Sequence, residues 1–154
     1  MKPRSVRSRK KSAARFLVGL VGATTTVGAL TADFLVPRTA RQHLRNPRWP
    51  GHAKFHDAQY IVMSQLLGAG GLALLAAKKG DPDRNLLTAA AIMSTPWLGM
   101  YGATLFPGTT LVDEEFKDQT PKVLGLDPNL FIATACLAAL AAATGLAGRP
   151  GRAQ

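Results

Sequence analysis

Polar and apolar positions along the chain fall into long blocks, not into the 3.6-residue alternation of helices with one wet face. Four apolar runs, Phe16–Val36, Gln59–Ala77, Leu86–Phe106 and Leu130–Gly148, contain neither lysine nor arginine. Each has about the 20 residues that carry a helix across the hydrocarbon of a bilayer. The last run is the plainest, with only two threonines and a cysteine among apolar and small residues. It leaves no polar stripe for the surface of a soluble helix. Pro47, Pro50 and Gly51 force a turn ahead of the second run, so that helix is expected to start near His52. The pattern predicts an all-α fold, a four-helix transmembrane bundle with spans at about 16–36, 52–77, 86–106 and 130–148. The transmembrane domain then covers 16–148, between a basic tail at 1–15, expected to be disordered, and a short tail at 149–154.

Charge sets the orientation. Nineteen Lys and Arg against nine Asp and Glu give a formal charge of +10, which in a soluble chain would point to nucleic acid. Here most of the cations lie ahead of the first run, between the second and third, and after the fourth. The positive-inside rule then puts both termini in the cytoplasm of a multi-pass cell-membrane protein, with membrane lipids and no nucleic acid as partners. A signal peptide ending near Ala29–Ala32 is the rival for the first run. That run resumes at Phe34-Leu35-Val36 and reaches spanning length, so an uncleaved span is expected. The opposite face receives a basic first loop, Pro37–Gly51, and an acidic third loop, Pro107–Asn129, which carries Asp113, Glu114, Glu115, Asp118 and Asp127. Loops of opposite charge and this length are expected to pack together as a cap over the bundle mouth. The single cysteine, Cys136, excludes an internal disulfide. Small residues at Gly19/Ala23, Gly22/Thr26 and Gly68, Gly70 and Gly71 predict close helix contacts and allow a homodimer. Ser94-Thr95-Pro96-Trp97 predicts a kink, and with it a cavity wall, in the third span.

Chemistry concentrates in one stretch, Asn46–Asp57. His52, His56 and Gln59 stand at i, i+4 and i+7, with Met63 one turn on, and are expected to face a pocket against the kink of the third span. Asp33, three residues before the end of the first run, meets the unfavourable end of the helix dipole and needs a cation, a proton or water. Arg38, Arg41 and the histidines of the first loop are its natural partners. Histidine titrates near neutrality, and paired with a carboxylate it can move a proton on a lipidic substrate. The candidate catalytic residues are therefore His52, His56, Asp33 and Asp57, with Glu114 and Glu115 from the cap. Trp49, Gln59, Tyr60, Met63, Trp97 and Tyr101 are the candidate substrate contacts. The expected activity is that of an isomerase or cyclase acting on a lipid or isoprenoid-like molecule.

His-x-x-x-His at 52 and 56 lacks the glutamate of the zinc-protease motif, since Ala53 stands there. Only His43 is left for further histidine boxes, so no metal or other cofactor is expected. An ion, if bound, would take His52, His56 and a carboxylate. Phosphate-binding glycine loops, GxSxG elbows and cysteine pairs are all missing from the sequence, as are the repeated polar rings of a pore. The non-enzymatic alternative is a membrane scaffold or accessory subunit whose histidine motif fixes the loop.

Asn46-Pro47-Arg48-Trp49-Pro50-Gly51-His52-Ala53-Lys54-Phe55-His56 resembles the signature Asn-Pro-x-Trp-Pro-x-His-Ala-Lys-Phe-His of a family of small four-span membrane proteins of unknown function, known from fungi and bacteria. Span number and placement also look broadly like the DoxX-like group. More distantly, the architecture is similar to that of the emopamil-binding sterol isomerases, whose residue pattern the chain lacks. The resemblance implies a four-span bundle and assigns no activity.

Overall fold

The computed structural model describes residues 3–148; the tail expected at 149–154 lies outside the described residues. Among these the chain is all-helical, with α1 at Pro3–Leu30, α2 at Pro37–Ala40, α3 at Gly51–Ala76, α4 at Pro82–Ala103 and α5 at Pro128–Ala147. The four long helices α1, α3, α4 and α5 pack in a ring, α1 on α3, α3 on α4, α4 on α5 and α5 on α1, with α1 also touching α4 across the centre. Three segments are long and apolar enough to cross a membrane: Val6–Leu35, Gly51–Ala76 and Pro128–Ala147. The fourth expected span, in α4, falls short of that measure. Its apolar residues are diluted by Ser94, Thr95, Pro96 and Trp97 and by the charged turn at its start.

Packing follows one stripe per helix. In α1 the stripe is Ala14, Val18, Val21 and Thr25; in α3 it is Ile61, Ser64, Gly68, Gly71 and Leu75; in α5 it is Ala133, Cys136, Leu140, Ala143 and Ala147. Met93, fully buried, fills the centre from α4. Glycine makes the close approach of α3 to α1 and to α4 possible. A Cβ on Gly68 would sit 2.7 Å from the backbone nitrogen of Thr26, and one on Gly71 2.8 Å from Met93 Cγ. Gly70, grouped with these two in the sequence, has nothing within 4 Å of that position. The outward faces expose Phe16, Leu20, Val62, Leu66 and Leu98, large apolar side chains that suit lipid and not water.

The basic segment expected to be disordered is helical from Pro3. Ala13 and Ala14 are strong helix formers, and the first span supplies the turns onto which the helix extends. Its contacts hold it in place: Lys11 Nζ lies 2.6 Å from Asp83 Oδ2, and Arg15 donates to the Leu75 carbonyl at 2.6 Å, near the C-terminal end of α3. α4 and α5 open alike, with an aspartate N-cap followed by proline at N1. Asp81 accepts from the Arg84 N–H and Asp127 from the Asn129 N–H, each at 2.8 Å. Pro96 is buried inside α4, and the helix runs past it to Ala103.

Candidate functional site

The decisive local feature is the end of α1. After Leu30 the helix widens into a π turn, Thr31–Leu35, closed by a 2.8 Å bond from the Val36 N–H to the Thr31 carbonyl. A regular helix would carry the buried stripe from Thr25 to Ala32. The wider turn delays it by one position, so Asp33 faces inward at 8% exposure. The loosened backbone is not left open, because the Thr39 hydroxyl donates to the Ala32 carbonyl at 2.5 Å. α2 then turns the chain back, and His43 comes to lie with its Nε2 3.4 Å from Asp33 Oδ1. Asp57 arrives from the first turns of α3. Asp33, His43 and Asp57 each offer a donor atom within 4.8 Å of the other two.

These three groups sit at one end of a cavity of about 370 Å³ that runs between the four long helices. Thr25 and Ala29 of α1, Tyr60 and Ser64 of α3, Pro96, Trp97 and Met100 of α4 and Leu130 of α5 form its walls, and Leu111 of the third loop lies over it. Trp97 is fixed by a buried 3.0 Å bond from its indole N–H to Thr25 Oγ1. Two oxygens in this region are buried without a partner among the described residues, Asp57 Oδ2 and Ser64 Oγ. Burial pushes the His43 imidazole below its ordinary 6.5, against the opposing pull of the Asp57 and Asp113 carboxylates.

His52, His56 and Gln59 lie elsewhere. All are exposed on the outer face of α3, where His56 Nε2 lies 3.1 Å from His52 Nε2 and His56 Nδ1 3.3 Å from Gln59 Oε1. Met63, half exposed, continues that outer stripe. The spacing is helical as expected, but the stripe is out of phase with the buried one, which passes through Asp57 and Ser64. Of the other candidates, Tyr60 and Trp97 line the cavity, while Tyr101 does not and bonds Thr134. Glu114 is exposed and paired with Lys117.

The motif residues ahead of the histidines fasten one loop to the other. Asn46, 1% exposed, accepts from the Arg48 N–H at 2.8 Å and donates to Glu115 at 3.3 Å. Arg48 pairs with Glu115, and the Trp49 indole donates to Asp113 at 3.1 Å. Trp49 also meets His43 edge to face, with ring centroids 5.9 Å apart. Trp49 therefore supports His43 at its edge, Glu115 holds the first loop through Asn46 and Arg48, and neither lines the cavity.

Comparison with known proteins returns no matching family model, no matching curated protein and no matching solved structure. What the site does has to be argued from its own geometry.

His43 is not among the candidate catalytic residues of the sequence, where it enters only as a loop histidine expected to partner Asp33. A single histidine in a basic loop has no periodic partner, and its relation to Asp33 depends on the π turn and α2 folding the chain back. A signal for Asp57 over His56 does exist. Asp57 stands in register with Ser64, Gly68 and Gly71, the small residues that mark the packed face.

Proposed function

We propose that the protein is a four-span membrane protein, both termini cytoplasmic, that binds a hydrophobic molecule in this cavity and moves a proton on its polar end. The observation that carries the reading is the meeting of Asp33, His43 and Asp57 at the head of an otherwise largely apolar cavity between helices. Ionisable groups at such depth are expensive and tend to serve a site. The apolar walls take the body of the ligand, and Asp57 Oδ2 and Ser64 Oγ, which lack partners, are placed to meet its polar groups. The acid/base chemistry is that of an isomerase or cyclase, centred on this cluster and not on His52 and His56. The joined first and third loops act as a cap that keeps water from the reacting groups. Kinship with the four-span family rests on the Asn46–His56 motif, which in this reading is the clasp of that cap.

The reading can be tested before the substrate is identified. Purified protein is incubated with a membrane-lipid extract in deuterated water, and the extract is read by mass spectrometry for carbon-bound deuterium. The expected result is a component that gains deuterium with the wild type and with His52→Ala/His56→Ala, but at least about a hundredfold more slowly with Asp57→Asn or His43→Ala. An extract that gains none with folded wild-type protein refutes the proton-transfer reading.

A further inference from the structure

We infer that Asp33, His43 and Asp57 form a binding site for one divalent transition-metal ion of the Mn(II), Fe(II) or Zn(II) class. The inference rests on the reading that this cavity is the working site, and it names the ion that works there. A separation of 3.4 Å between His43 Nε2 and Asp33 Oδ1 is long for an N–H···O bond, which clusters near about 2.9 Å. It is the spacing of two ligands on one ion, since bonds of about 2.1 Å at a tetrahedral angle put donor atoms about 3.4 Å apart. The third donor, from Asp57, lies within 4.8 Å of both, so a small contraction completes the set.

Charge points the same way. Two carboxylates meet one imidazole, and no lysine or arginine lines the cavity among the described residues. The arginines of the first loop are turned elsewhere: Arg48 to Glu115, Arg38 to the Gln119 carbonyl at 3.0 Å, Arg45 over the Phe34 ring, and Arg41 to the outside. Buried carboxylates without a compensating cation are costly, and a divalent ion removes that cost. The unpartnered polar atoms are the independent sign of a ligand. Asp57 Oδ2 has no partner, and Ser64, 3% exposed, lines the same cavity with Tyr60 beside it.

The donor set selects the class of ion. Two carboxylate oxygens with one imidazole suit borderline divalent ions better than soft Cu(I), which favours sulfur ligands, or the all-oxygen preference of Ca(II) and Mg(II). Three protein ligands leave coordination positions open for water or the polar end of the bound molecule. There the ion would polarise a ligand oxygen, and the neighbouring proton would pass to a carboxylate oxygen of Asp33 or Asp57 that is not on the ion, since His43 Nε2 would be held by it.

The exposed His52–His56 pair, with its Nε2 atoms 3.1 Å apart, is the competing chelate, and the test separates the two. The full chain, purified in mild detergent, is stripped and reloaded separately with Mn(II), anaerobic Fe(II) or Zn(II), then desalted and its bound metal counted. About one ion per chain is expected in the wild type and in His52→Ala/His56→Ala, with at least about tenfold lower occupancy in Asp57→Asn and His43→Ala. A wild type that keeps none of the three ions overturns the inference without reference to any variant. So does metal that stays with Asp57→Asn and leaves with His52→Ala/His56→Ala. Deuterium exchange is read on stripped and loaded protein alike. Exchange by wild type that binds no ion sinks the metal and spares the proton-transfer reading; a bound ion without exchange does the reverse.

Discussion

Trp97 and Thr25 show how much a single polar contact decides inside this molecule. The indole N–H of Trp97 reaches the Thr25 hydroxyl at 3.0 Å, and that hydroxyl donates in turn to the Val21 carbonyl at 2.8 Å. Thr25→Val keeps the shape and removes the acceptor. The expected cost is about 1 kcal/mol, typical of an interhelical hydrogen bond in a membrane protein, seen as a lower thermal midpoint in detergent. A shifted Trp97 emission should accompany it, with Trp49 as the only other tryptophan. Other residues differ in how far the sequence announces them. Asp33 and Asp57 stand out because acids beside or within apolar runs need a reason to be there. His43 is announced only as a possible partner of Asp33, because Asp57 comes from another segment and only the folded chain brings all three together. His52 and His56 have the right period and the wrong phase.

Between elements, the closest approach is that of α1 and α3, where Gly68 lies against the Thr26 backbone. Gly68→Leu should wedge the two helices apart, lowering stability by about 1–3 kcal/mol and loosening the cavity wall that both helices share. The same change at Gly70, whose Cβ position is open, should leave the thermal midpoint in detergent nearly unmoved. A comparable drop at both positions would contradict the packing described. Composition groups these glycines together, but only the buried stripe through Ser64 and Leu75 tells which face each one serves. The basic segment before the first span departs from its expected disorder for a related reason. It lacks an apolar period, yet it is helical because a long helix follows it and because Asp83 and the Leu75 carbonyl receive its side chains.

Across the whole molecule, block hydropathy is enough to reveal an all-helical chain with membrane-crossing segments. Four runs of similar length are visible, and α4 is the least apolar because its polar middle, Ser94 to Trp97, carries part of the cavity wall. The proposed orientation puts the α3–α4 turn and the third loop on opposite sides of the membrane. Cys136 is buried, so single cysteines at Lys79 and at Asp118 can be read against a quiet background. In intact cells a membrane-impermeant maleimide should label Asp118→Cys and leave Lys79→Cys unlabelled until the cells are opened. The reverse pattern would invert the topology.

The π turn at Thr31–Leu35 amounts to one surplus residue between the part of α1 that packs and the turn that presents Asp33. Removing Phe34 or Leu35, which follow the carboxylate, would restore the regular helix, leave every contact from Ala14 to Thr25 in place and still span the same thickness of hydrocarbon. The carboxylate, however, would swing round to the lipid. A descendant of this chain whose carboxylate had turned outward in this way could therefore keep its shape, its hydropathy and its place in the membrane. It would betray the change only as a gap of a single position.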